Sequence, residues 1–131
     1  MLRWLLAASM AYLGVAKLVA GPPGSGPSWW PMAWWLATGA ELLGAVCLVG
    51  KTWRLGASAA VAIGTAGLLL VLAGPALGVS LARCGCFGPH EASVGAHLAL
   101  AVAWLVAGLA VLHDGAARRD PTSLPKPMRD H

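Results

Sequence analysis

Charge is what this chain has least of. Charged residues make up 11% of its 131 positions, and only five of them are acidic. Phenylalanine and tyrosine occur once each, and there are three cysteines. A water-soluble domain carries about 25% charged residues. That deficit, set beside 58% hydrophobic residues, excludes a soluble globule. The shortage of reactive side chains also narrows the chemistry, because few positions can act as nucleophile, base or ligand. Two of the three cysteines stand one glycine apart in Arg83-Cys84-Gly85-Cys86-Phe87-Gly88-Pro89, and nothing else in the sequence offers comparable reactivity.

What the chain does have is apolar length. A helix needs roughly 20 apolar residues to cross a hydrocarbon core of about 30 Å. Four stretches qualify: about Leu2 to Ala20, Trp30 to Gly50, Leu55 to Val79 and Ala92 to His113. They predict an all-α, integral membrane four-helix bundle occupying residues 1–114, and their combined span leaves no room for a second domain. Residues 115–131 place Pro121, Pro125 and Pro127 among charges and read as a mobile cytoplasmic tail. Met1-Leu2-Arg3 before an apolar run also has the outline of a cleaved signal peptide. Against cleavage, Lys17 stands close to the site and Leu18 occupies a position that wants a small residue.

A net charge of +4 invites a nucleic-acid partner, but the placement of the charges marks orientation instead. Outside the spans, basic residues fall at Arg3, at Lys51 and Arg54, and at Arg118, Arg119, Lys126 and Arg129. The connection from Gly21 to Trp29 carries no charge, and the one after span three has only Arg83 with His90 and Glu91. Excess Lys and Arg stay on the cytoplasmic side. Both termini are therefore expected in the cytoplasm, with Cys84 and Cys86 on the outer face, where disulfides persist. The partner this implies is a lipid bilayer, not nucleic acid.

Small residues at three- and four-residue spacing, such as Ala7, Ala11 and Gly14 in span one and Ala37, Ala40 and Gly44 in span two, let helices approach closely in lipid. Trp29, Trp30, Trp34 and Trp35 read as an interfacial belt, the alternative being a stacking site for a quinone or other flat ligand. Gly74-Pro75 interrupts span three. Proline removes a backbone hydrogen bond, so the helix either kinks and continues or stops near Gly74 with the following apolar residues folding over the bundle top.

The Cys84-Gly85-Cys86 spacing closes a small ring, and native disulfide geometry makes such a ring strained. Strained, exposed disulfides are the labile or catalytic ones, which favours exchange over stapling. Gly85 permits the bend, and Arg83 beside the pair is expected to favour a thiolate. Cys84, Cys86 and His90 form an alternative S,S,N set for copper(I) or zinc, with a fourth ligand needed for a structural zinc site. The plainer reading is two loop thiols without turnover.

Within the spans, Lys17, Glu41 and His97 break the apolar pattern, and ionisable residues in lipid are functional candidates by default. At about 1.5 Å per residue, Lys17 lies roughly 5 Å, His97 roughly 8 Å and Glu41 roughly 15 Å below the outer boundary. All three fall beneath the cysteine loop. Lys17 reaching down and Glu41 reaching up predicts a buried pair, with His97 as proton carrier to the thiols. The competing readings are snorkelling for Lys17, an interhelical hydrogen bond for His97 and a neutral core residue for Glu41. Cys47, six residues deeper than Glu41, reads as a small core residue.

Taken together, Arg3, Gly14-x-x-Lys17, Glu41-x-x-Gly44 and Cys84-Gly85-Cys86-Phe87-Gly88 resemble the MauE family, the methylamine-utilisation membrane proteins of the DoxX-like superfamily, over nearly all of the chain up to about His113. The resemblance implies a bacterial inner-membrane protein linked to periplasmic thiol redox, partnered by a thioredoxin-like protein or a redox enzyme subunit. It carries over directly to Cys84 and Cys86, and by looser spacing to Lys17 and Glu41. No cofactor follows from the residues; a quinone rests on analogy with other four-helix disulfide-generating membrane proteins. A non-catalytic membrane anchor or assembly subunit with a structural disulfide is the reading from a different class.

Overall fold

The computed structural model describes residues 1–88 and 90–117. Four long helices follow one another: α1 (Leu2–Ala20), α2 (Trp30–Val49), α3 (Trp53–Ala73) and α4 (Val94–Ala117). No strand occurs among the described residues. Each helix packs on its neighbours in sequence, and α1 closes the ring against α4. The last helix runs past the expected boundary at residue 114 to Ala117, and the rest of the expected tail lies outside the described residues.

The helices are long because nothing interrupts them, and each stops where the sequence gives it reason to. Pro31 sits in the first turn of α2, where its missing N–H costs nothing. At the other end the Gly50 N–H donates to the carbonyls of Val46 and Cys47, and only Gly50 to Thr52 separates α2 from α3. Of the two paths open at Gly74-Pro75, the chain takes the second. α3 ends at Ala73, Pro75–Leu77 forms one tight turn, and the chain folds back so that Val79 is buried beside Trp30 and Cys84. A second short turn, Leu81–Arg83, delivers the chain to Cys84.

Small residues set the interhelical distances. A methyl group at Gly56 of α3 would stand 2.6 Å from the Gly44 carbonyl oxygen of α2, and one at Gly64 would stand 2.7 Å from the Ala101 carbonyl of α4. Backbones this close gain dispersion contacts that lipid cannot match. Between them lies a core of Leu6, Met10, Leu13, Leu48, Ala57, Ala60, Trp104 and Val111.

The outer faces are as apolar as the core. Leu36, Leu43, Val46 and Leu72 are each well over half exposed, and no more than a third of any span's apolar window is buried within the bundle. In water, continuous apolar surface of this extent on every helix would drive aggregation; in hydrocarbon it is solvated. All four helices are long and apolar enough to cross a membrane, so the fold is that of a multi-pass helical membrane protein.

Candidate functional site

The chain after α3 returns over one end of the bundle and presents Cys84 and Cys86 to it from above. Gly85 adopts a φ of 72°, and a Cβ there would meet Trp34 Nε1 at 2.7 Å, so both conformation and space call for glycine. Gly88, at φ 69°, lies directly on the backbone of Ala16 in α1. The two Cα atoms of the cysteines are 5.4 Å apart and their sulfurs are joined, a separation ordinary for a disulfide.

Two indoles hold this loop down. Trp30 Nε1 donates to the Cys84 carbonyl and Trp34 Nε1 to the Gly85 carbonyl, each at 3.3 Å. Both rings are buried, whereas Trp29 and Trp35 are exposed. The four tryptophans expected to form one interfacial belt therefore divide: one pair faces outward, and the other is part of the site. The physical reason is helical phase. Trp30, Trp34 and Glu41 recur at four- and seven-residue spacing and share the inward face of α2. That signal was present in the sequence, because Glu41 marks the inward face.

The two sulfurs have unlike surroundings. Cys84 is only 2% exposed. Its Sγ lies 3.1 Å from His97 Nε2 and receives the Cys86 backbone N–H at 3.2 Å. Cys86 is half-buried. His97 Nδ1 is 2.9 Å from the Ser93 carbonyl oxygen. A carbonyl can only accept, so Nδ1 carries a proton and Nε2 is the ring nitrogen that faces Cys84. Phe87 packs edge-on against the same imidazole.

Below the loop, Lys17 and Glu41 form a buried ion pair through Lys17 Nζ and Glu41 Oε1. Lys17 is 4% exposed, so it points into the bundle and does not snorkel. The other oxygen of Glu41, Oε2, is buried and has no hydrogen-bond partner among the described residues. Trp104 Nε1 donates to the Ser9 hydroxyl and ties α4 to α1 beneath the pair.

Two sequence expectations are corrected. Arg83 does not serve the thiols: its Nε lies 3.7 Å from Glu91 Oε1 with both side chains in the open, because the Leu81–Arg83 turn directs it away from the bundle. His90 is likewise exposed. The histidine that completes an S,S,N set with Cys84 and Cys86 is His97, whose ligand atom lies within 4.8 Å of both sulfurs. Cys47 is half-buried and free.

The arrangement defines a helical membrane protein with a cysteine pair seated on a buried histidine and an intramembrane ion pair. The chain matches no protein-family model, no curated protein and no solved structure.

Proposed function

We propose that this protein is a membrane thiol-disulfide component, with Cys84 and Cys86 exchanging with a thioredoxin-like protein or a redox enzyme subunit on the outer face of a bacterial inner membrane. The observation that carries this reading is the asymmetry of the two sulfurs. A partner thiolate attacks the half-buried Cys86 sulfur, the S–S bond breaks, and Cys84 leaves as a thiolate. The Cys86 N–H points at the Cys84 sulfur and donates to that thiolate, and a stabilised leaving thiolate leaves faster. In the oxidising direction His97 Nε2 takes the Cys84 proton as that thiolate forms. Lys17 and Glu41 hold the floor beneath the loop.

The outward orientation is supported by the excess of Lys and Arg at the termini and in the α2 to α3 connection. The resemblance to the MauE family, through Gly14-x-x-Lys17, Glu41-x-x-Gly44 and Cys84-Gly85-Cys86-Phe87-Gly88, supports the redox context. Trapping tests the mechanism. In cells carrying Cys84→Ser, the remaining Cys86 accumulates a mixed disulfide with its partner. A pair that stays oxidised under every physiological reductant and yields no mixed disulfide in either single variant overturns it, leaving a membrane anchor with a structural disulfide.

A second reading is favoured by one observation, the convergence of Cys84, Cys86 and His97. When reduced, these supply two thiolates and an imidazole, a donor set suited to copper(I). Metal content of the reduced protein, compared with that of His97→Ala, decides it.

A further inference from the structure

The space enclosed between Cys86, His97 and the Lys17 to Glu41 pair is open. A cavity of about 220 Å³ reaches from Cys86 and Phe87 in the loop down to Trp104. Its walls are alkyl and indole carbon apart from Lys17, Glu41, His97 and Cys86. Elsewhere the bundle is sealed, by close backbone approach at Gly64 between α3 and α4 and at Gly56 between the far ends of α2 and α3, and by the Leu42 side chain of α2 on Gly14 of α1. The looser seam lies between the upper parts of α2 and α3, where the cavity is lined by the half-buried Ala37 and by Ala66. Ala66 is exposed as well as part of the lining, so its small side chain carries the cavity wall to the lipid-facing surface.

Three observations constrain the occupant. An apolar cavity of about 150 Å³ holds a benzene ring, so this one takes a substituted six-membered ring, and an alkyl tail would have to leave through the seam. Glu41 Oε2 is a buried oxygen on the wall with no hydrogen-bond partner among the described residues; a carboxylate oxygen accepts, so it calls for an O–H donor in the cavity. Cys86 is also on the wall, so an acceptor in the cavity meets the cysteine pair from the membrane side. An occupant that is flat, soluble in lipid, able to take up two electrons with two protons and, once reduced, able to donate ring O–H groups to Glu41 belongs to the quinone class.

We propose that this cavity binds the ring of a membrane quinone, admitted between α2 and α3, and that the Cys84 and Cys86 thiols reduce it. This rests on the exchange reading above, which supplies the dithiol. Two S–H bonds break and one S–S bond forms. The two electrons and two protons released convert the quinone to the quinol, with two new O–H bonds. His97 Nε2 carries the Cys84 proton, Lys17 Nζ donates to the quinone oxygen at the other end of the cavity, and Glu41 Oε2 accepts from the O–H of the quinol that forms.

The test uses the full chain in lipid nanodiscs with decylubiquinone. Wild type shows saturable quenching of tryptophan fluorescence at a stoichiometry set by protein. That component is lost in Ala66→Phe and in Ala37→Phe, which fill the seam, and kept in Leu72→Phe on the lipid-facing surface. Pre-reduced wild type kept free of oxygen forms quinol in step with disulfide, while the Cys84→Ser, Cys86→Ser double variant still quenches but makes none. Wild-type quenching that rises only with quinone per lipid and never saturates overturns the proposal, whatever the variants do. Saturable binding without quinol, in a protein that still exchanges with thioredoxin, overturns the electron transfer and leaves exchange standing. If the pair neither exchanges nor reduces quinone, both readings fall.

Discussion

His97 Nε2 stands 3.1 Å from the sulfur of Cys84, while the opposite ring nitrogen donates to the Ser93 carbonyl. On the exchange reading, a histidine held in this way accepts and returns the Cys84 proton. Replacing it with Asn keeps a polar side chain of similar reach but removes the base. The rate of disulfide formation in His97→Asn is expected to fall by about 10²-fold or more, with the loop intact, as measured by quenched-alkylation time courses.

The two cysteines should differ in reactivity once separated. Cys86 in a Cys84→Ser variant is half-buried, and Cys84 in a Cys86→Ser variant lies under the loop against His97. Because access limits thiol reactions, a maleimide should label Cys86 on the order of tenfold faster than Cys84. Equal rates would show that the loop lifts freely from the bundle.

Lys17 and Glu41 form a buried ion pair, so removing one partner strands the other in the interior. Lys17→Met should cost about 3–5 kcal/mol, and adding Glu41→Gln should restore much of it, because breaking a buried pair is worse than replacing both ends. Unfolding in mixed detergent micelles gives both values. A single variant no less stable than the double variant contradicts a direct pairing.

Trp34→Phe keeps an aromatic side chain at the position, though a smaller one, and deletes the N–H that holds the Gly85 carbonyl. The loss is expected at about 1 kcal/mol, together with faster labelling of the reduced pair. Gly85→Ala should be the harsher change, since it combines a left-handed backbone with a clash on the same indole. The two variants, compared by thermal unfolding and by alkylation, separate loss of a tether from disruption of the loop.

Orientation has its own test. A membrane-impermeant maleimide added to intact cells after mild reduction should label Cys86 in Cys84→Ser, whereas a cysteine placed at Lys51 should be reached only after lysis. The opposite pattern would overturn the topology inferred from the basic residues.

Much of the fold was legible in the sequence, because a hydrocarbon solvent imposes a length and a polarity on every span. Four apolar stretches gave four helices with ends within a few residues of those expected, α3 excepted, and counting depth along α1 and α2 put Lys17 and Glu41 within reach of each other. The path beyond Gly74 was not legible. Proline permitted both a kink and a stop, and the choice went to the stop, with Val79 buried against Trp30 and Cys84. His97 was expected beneath the loop as proton carrier, but the alternative metal set took the wrong histidine: His90 is nearer than His97 in the chain, yet it is exposed while α4 carries His97 beneath the sulfurs.

By itself, then, the sequence determined that the chain lives in a membrane, how many times it can cross, and which few groups could react, since each of these depends on composition and spacing alone. The tertiary structure decided which of those groups meet. Helical phase turned Trp30 and Trp34 inward, the turn at Leu81–Arg83 sent Arg83 into the open, and the separation of α2 from α3 left a cavity beside Cys86. Contacts between residues far apart in the chain depend on how the helices pack, and packing is a property of all four together.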